Sequence, residues 1–188
     1  MSGRPIVVRR FEQVAYTPCW QAMRDTTDER QPDSDNELWV VEHPAVFTQG
    51  QAGKAEHVLA AGDIPVVQTD RGGQVTYHGP GQTVIYLLFK LSQFQVGARE
   101  LVSRIEQAII DFLATHDIQA TLKDGAPGVY VDGAKIASLG LRIRRGCSYH
   151  GLSLNRDLDL SVFQRINPCG YAGQPVTSLK QLGRSLSR

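Results

Sequence analysis

Three cysteines and one lysine are the residues best suited to covalent chemistry in this chain, and their surroundings differ. Cys19 has apolar neighbours on a predicted helix and fits an inert, buried thiol. Cys147 follows Arg142, Arg144 and Arg145, cations that would lower its pKa and make it a nucleophile. Cys169 lies in Ile166-Asn167-Pro168-Cys169-Gly170-Tyr171-Ala172-Gly173, a loop-forming context that presents a thiol rather than burying it. Spacing alone does not choose between Cys147 and Cys169. Lys135 stands in Gly133-Ala134-Lys135-Ile136-Ala137-Ser138-Leu139-Gly140, among small and apolar residues. A lone lysine there is ordinarily a solvated strand end, whereas a partly desolvated one gains by pairing with a thiolate.

The segment Arg71-Gly72-Gly73-Gln74-Val75-Thr76-Tyr77-His78-Gly79-Pro80-Gly81-Gln82 holds four of the 18 glycines. Gly72-Gly73 and Gly79-Pro80-Gly81 are turn chemistry that lets backbone approach a bound group. The bland reading is a Gly-rich hairpin with a surface arginine. Against it, Arg71, Thr76, Tyr77, His78 and Gln82 put more hydrogen-bonding groups on one ribbon than a turn requires. Thr48-Gln49-Gly50-Gln51-Ala52-Gly53-Lys54-Ala55 fails the phosphate-loop pattern at both ends, so no ATP site is expected. His43, His57, His78, His116 and His150 show no paired spacing and no two cysteines are close, so no metal site is expected and each histidine reads as structural or surface.

The elements that must position these residues are strands at 38–42, 64–68, 74–78, 83–89, 129–131, 135–144 and 148–154. Asp132-Gly133 between two of them is a type I′ hairpin signal. The clearest helix spans 98–115, with Leu101, Ile105, Ala108, Ile109, Phe112 and Leu113 on one apolar face. Thr17-Pro18 reads as an N-cap with proline at the first position of another helix, and 25–37 as a surface loop or helix end. Adjacent strands with tight turns and segregated helices indicate an α+β fold with a mixed or antiparallel sheet. The 188 residues fit one domain, 1–188, and a composition of 41% hydrophobic and 21% charged residues excludes a disordered chain. A net charge of +1 gives no global attraction to nucleic acid or to an anionic membrane. The residues around Ile6-Val7-Val8 make no secretory apolar region, the longest apolar run is strand length, and three cysteines make an odd set. A cytoplasmic protein with free thiols is the expectation.

Taken together, Arg71-Gly72-Gly73 through Thr76-Tyr77-His78 to Gly81-Gln82, then Gly133 to Gly140, then Asn167-Pro168-Cys169-Gly170 resemble the lipoyl(octanoyl) transferase family. Val41-Glu42-His43-Pro44-Ala45-Val46-Phe47-Thr48-Gln49-Gly50 is similar to its N-terminal block, so the resemblance spans about Leu38 to Gly173. It implies the fold of biotin and lipoate protein ligases, and octanoyl transfer in lipoate biosynthesis with no cofactor and no metal. It makes Cys169 the nucleophile and acyl carrier, and Lys135 the residue that lowers its pKa. Arg71, Gly72, Gly73, Gln74, Val75, Thr76, Tyr77 and His78, with Ser138-Leu139-Gly140 and Gly151-Leu152-Ser153, match the family's acyl-binding segments. The implied partners are octanoyl-acyl carrier protein as donor, and as acceptors the lipoyl domains of 2-oxoacid dehydrogenase E2 subunits and glycine cleavage H protein. The protein itself is expected to be a monomer. Arg142, Arg144 and Arg145 are the densest positive cluster and a candidate docking patch for such acidic partners. An ATP-dependent lipoate ligase, a Cys-His hydrolase and a catalytically dead docking protein are the competing readings.

Overall fold

The computed structural model of the chain describes residues 5–184, apart from the side chain of Cys169. In chain order the elements are β1 (Ile6–Gln13), α1 (Tyr16–Asp28), β2 (Asn36–Glu42), β3 (Val46–Gln49), β4 (Val66–Gln68), β5 (Val75–His78), β6 (Gln82–Leu88), α2 (Leu91–Phe94), α3 (Ala98–Ala114), β7 (Val129–Val131), β8 (Ala134–Arg144) and β9 (Cys147–Asn155), with 3₁₀ turns at Ala55–His57, Leu160–Arg165 and Pro168–Gly170. Six strands form one sheet in the order β1-β2-β6-β9-β8-β7, and three form a second in the order β4-β3-β5. Only β1–β2 and β3–β4 pair in parallel within these sheets. This is the expected α+β fold with mixed sheets.

Turn chemistry sets the β7–β8–β9 ribbon that carries Lys135. Asp132 and Gly133 adopt φ of 48° and 79°, the left-handed pair of a type I′ turn. Arg145 and Gly146 do the same at 49° and 74°, without an Asn or Asp to announce it. α3 lays Leu101, Ile105, Ile109 and Leu113 on one face of the large sheet, against Leu87, Val129, Val131 and Ala137. The buried stripe differs from the expected one: Ala108 and Phe112 are exposed, and Glu106 is buried. α1 packs Cys19 and Met23 on the other face, against Trp39, Val41, Val84 and Tyr149. It begins at Tyr16 after an Ala15 N-cap with no side-chain bond, so Thr17 is not the cap. Pro18 occupies the third helical position, where a helix leaves the backbone N–H unused in any case.

Two strands escape the sequence reading. β1 is an edge strand, exposed at every position except Val7, so no alternation marks it. β3 is four residues, all buried, and too short to show a period. The stretch 25–37 divides among the end of α1, a loop and the start of β2. Among the described residues no helix is long and apolar enough to cross a membrane. The first four residues of the N-terminal stretch lie outside the described residues.

Candidate active site

The Gly-rich ribbon is held by its own arginine. Arg71 is buried, and its guanidinium donates to the Thr48 hydroxyl (Nε 3.1 Å, Nη2 2.9 Å), to the carbonyls of Thr48 (2.6 Å) and Gln74 (2.7 Å), and to that of Gly72 (2.9 Å). The segment rejected as a phosphate loop is the cradle for this turn. Gln51 N donates to Arg71 O (2.8 Å), Ala52 N donates to Gly73 O (3.2 Å), and a Cβ at Gly50 would meet Gly73 O at 2.2 Å. On its other side the turn is pinned to β8, where Gly72 N donates to Leu141 O (2.9 Å). A Cβ at Gly140 would press to 3.0 Å from Gly72 O, which is why glycine stands beneath the turn.

Lys135 is 2% exposed and lies near the start of β8. Its Nζ donates to Pro127 O at 3.0 Å and sits 5.2 Å from the Tyr130 ring centroid, within cation–π range. Gly128, at φ 138°, packs on its stem so closely that a Cβ there would stand 2.9 Å from Lys135 Cε. The Gly128 N–H donates to the buried Glu106 carboxylate of α3 at 3.0 Å.

Two backbone ties bring the Cys169 segment to this lysine. Before it, Asn167 N donates to His57 O (2.8 Å); after it, Lys135 N donates to Pro175 O (2.8 Å) and Thr177 N to Lys135 O (3.0 Å). Between them the 3₁₀ turn Pro168–Gly170 lies over Gln74, since a Cβ at Gly170 would come 3.3 Å from Gln74 Cγ. Cys169 is thus carried on a turn flanked by Gln74 and by the chain that bridges to Lys135; its side chain lies outside the described residues.

Two cavities meet here. A wide groove runs past Lys135, Pro127, Tyr171, Arg99 and Ile143, and Gly72 lines it. A much narrower pocket is lined by Arg71, Thr76, Ser138, Gly151, Leu152 and Ser153, among others. Gly73, Gln74, Leu139 and Gly140 line both and mark the junction, while Tyr16, His78, Tyr86 and His150 line only the pocket. Val75 and Tyr77, which the resemblance places in the acyl-binding segments, line neither. On β5 they alternate away from Gln74, Thr76 and His78 and pack with Phe47, Val162 and Phe163 in the core of the small sheet.

The sequence placed His78 in the acyl-binding segments but gave no sign of the cluster it joins. His43, His78 and His150 are all buried and converge with Tyr16 and Tyr86, their ring centroids 5.2–6.2 Å from one to the next. They come from three separate segments, so no local spacing could reveal them. Burial lowers the pKa of each, His78 to about 3, and all three are neutral at pH 7. His43 Nδ1 bonds Val14 O at 2.6 Å and its Nε2 meets the Tyr86 hydroxyl at 2.7 Å. Asp70 anchors the far side, accepting from His150 Nε2 (2.9 Å), Trp20 Nε1 (2.8 Å) and the Tyr149 hydroxyl. Burial works to raise its pKa, yet those bonds outweigh it and hold the carboxylate well below the usual range.

The competing cysteines are elsewhere. Burial pushes the Cys19 thiol up to about 12, a poor nucleophile. Cys147 is buried opposite Arg144, at the far end of β8 from Lys135. Of its flanking arginines, Arg144 pairs with Asp28 at 2.8 Å and Arg145 approaches the same carboxylate at 3.8 Å. The cluster is therefore partly neutralised and lies away from the junction.

Residues 15–188 match the lipoyl protein ligase A/B catalytic domain family. The chain is 63% identical to an octanoyltransferase of Alcanivorax borkumensis over 97% of its own length and 74% of that protein's. It is 69% identical to an octanoyltransferase of Pseudomonas putida over 89% and 78% of the two chains. Among solved structures it is similar in fold to a bipartite lipoate protein ligase of Thermoplasma acidophilum, studied with its E2 lipoyl domain (TM-score 0.71, 14% identity, 100% of this chain and 78% of that one). It is also similar to the biotin protein ligase of Aquifex aeolicus with biotin and ATP (TM-score 0.59, 12% identity, 97% and 63%). With the family matched over nearly the whole chain and octanoyltransferases as relatives at such identity, the chain belongs to the lipoyl(octanoyl) transferase family.

Proposed function

We propose that this octanoyltransferase of lipoate biosynthesis works through a thioester on Cys169, drawing octanoyl from acyl carrier protein and delivering it to the lysine of a lipoyl domain. The single observation that carries this reading is the burial of Lys135 beside a groove, with its backbone stitched to the segment that follows Cys169. An ammonium held beside that turn would stabilise a thiolate on it. The charge pair in turn lowers the thiol's pKa and raises the nucleophile's population.

In the first half, the Cys169 thiolate attacks the donor thioester carbonyl; the new C–S bond replaces the old one, and the carrier sulfur leaves as a thiol with the proton of the Lys135 ammonium, which becomes the free base. In the second, the acceptor lysine amine attacks the Cys169 thioester, an amide bond forms, and the sulfur departs as thiolate. Lys135 as free base takes the proton the amine sheds. Thioester exchange is nearly balanced and amide formation is downhill, so no nucleotide activation is needed. The narrow pocket takes the acyl chain, and the wide groove takes the donor's prosthetic arm and then the acceptor lysine. Acceptor proteins are supported by the relatives, one of which was studied with its E2 lipoyl domain; the acyl carrier donor rests on the family resemblance.

The test is transfer from octanoyl-acyl carrier protein to an apo lipoyl domain without ATP. Octanoylation of the domain is the expected result. Octanoylation only from free octanoate with ATP would identify a ligase instead.

A further inference from the structure

The narrow pocket is walled by three separate parts of the fold. Thr76 and His78 bring the small sheet to it, Ser138 and Gly151 the large sheet, and Tyr16 the first turn of α1. Asp70 does not line the pocket, yet it ties all three parts together. It lies between β4 and the Arg71 turn, just after Thr69, whose N–H donates to Gln49 O of β3 at 2.8 Å, so its backbone belongs to the small sheet. Its Oδ1 accepts from Trp20 Nε1 of α1 (2.8 Å), one helical turn beyond Tyr16, and from His150 Nε2 of β9 (2.9 Å). Its Oδ2 accepts from the Tyr149 hydroxyl, also of β9. His150 stands where β9 becomes pocket wall, and its backbone is left-handed, at φ 58°. A residue with a side chain keeps that conformation only where its surroundings impose it. Here the imidazole is held by the Asp70 carboxylate and stacked on the Tyr149 ring, with centroids 5.0 Å apart.

Resting on the reading of this pocket as the acyl site, we propose that Asp70 is a positioning residue for the acyl chain: by pinning α1 and β9 to the small sheet it keeps the slot closed on the tail, and so sets how strongly octanoyl is preferred to a shorter chain. Each methylene contributes in full only when the walls touch it and water is excluded. A wall that backs away by 0.5–1 Å forfeits about a quarter to a half of the contact energy. Loss of the carboxylate frees three donors at once, on α1 and β9, and leaves the left-handed His150 without its partner. The walls then part on either side of the tail. The Cys169 turn and Lys135 make no bond to Asp70 among the described contacts, so the effect falls on tail binding and not on the reacting atoms.

The experiment is the ratio of kcat/KM for octanoyl-acyl carrier protein to that for hexanoyl-acyl carrier protein, with an apo lipoyl domain as acceptor. Both values come from one preparation, so the ratio is independent of the fraction of active enzyme, which is all that a loss of stability would change. Two fully buried methylenes make it about fifteenfold in the wild type. Asp70→Ala should bring it to about fourfold, since halving the gain per methylene takes the ratio to its square root. Asp70→Asn keeps an acceptor for Trp20 and His150 and turns its amide to the Tyr149 hydroxyl oxygen, so its ratio should stay above about half the wild-type value. Where Asp70→Ala does not fold, the paired Trp20→Phe and Tyr149→Phe variant, which removes two of the three donors, takes its place under the same criterion. A ratio that stays above about half the wild-type value without the carboxylate or those donors, or one that falls below it in Asp70→Asn, would overturn the proposal. A wild-type ratio below about threefold would overturn instead the reading of this pocket as the acyl site. A wild-type chain that transfers neither acyl group would overturn the function on which both rest.

Discussion

At the scale of single residues, the site depends on a charge kept out of water. Lys135 is 2% exposed, and its ammonium lies against the Pro127 carbonyl and the Tyr130 ring. Replacing it with Met keeps the stem's length and apolar packing while removing the cation. Alkylation of Cys169 by iodoacetamide at pH 7, followed by peptide mass, should then slow by about tenfold or more, because a neighbouring opposite charge shifts a thiol's pKa by a unit or more. An unchanged rate would mean that the two residues are not coupled. Cys19 should resist alkylation in both proteins, its thiol being pushed up to about 12. In the sequence, local context marked Cys169 as loop-borne and Lys135 as set among small residues, but only the family resemblance assigned their roles. The histidine cluster was not marked, since its members meet only when β5, β9 and the loop after β2 come together.

At the scale of elements, α3 does more than cover the sheet. Its single inward carboxylate, Glu106, holds the N–H of Gly128, and Gly128 rests on the Lys135 stem. Helix and the Lys135 strand are thereby coupled through one hydrogen bond. Glu106→Leu should lose roughly 1.5–3 kcal/mol of stability, the worth of a bond to a charged group, measured by urea unfolding. Because Gly128 would be released, kcat should fall while KM for the acceptor stays within a factor of about two. Glu106→Gln retains an acceptor and should restore most of both. A loss confined to stability would show that the bond supports the core and not the lysine. The apolar spacing of α3 was legible and its inward carboxylate was not, because position 106 lies beside the stripe and ordinarily faces water. Likewise the alternation of β5 was visible, but its direction was not: either Thr76 and His78 or Val75 and Tyr77 could have faced the ligand. The small-sheet core of Phe47, Val162 and Phe163 decides it.

At the scale of the molecule, the same buried histidines link activity to acid stability. Their pKa values are lowered by burial, so the unfolded chain binds protons that the folded one refuses. The stabilisation is complete above the unfolded value of about 6.5 and is lost as pH falls through it, at up to about 1.4 kcal/mol per pH unit for each histidine. Urea unfolding should therefore show a clear fall in stability between pH 7.5 and pH 5; Asp70, held low, contributes nothing in that window and begins to matter only below about pH 4. A flat profile would contradict the buried, neutral cluster. The charge of the whole chain is nearly zero, so it supplies no global field, and Arg144 and Arg145 of its densest positive patch approach Asp28. The proposed mechanism passes through one covalent state, in which the octanoyl group would rest on Cys169 before it reaches its acceptor. Intact mass of the protein after incubation with octanoyl-acyl carrier protein, without ATP or acceptor, tests it most directly. The account predicts a gain of one octanoyl unit, located on the peptide of Cys169, absent in Cys169→Ser and present in Cys147→Ser. A label on Cys147, or free octanoate accumulating with no label on a competent enzyme, would contradict it.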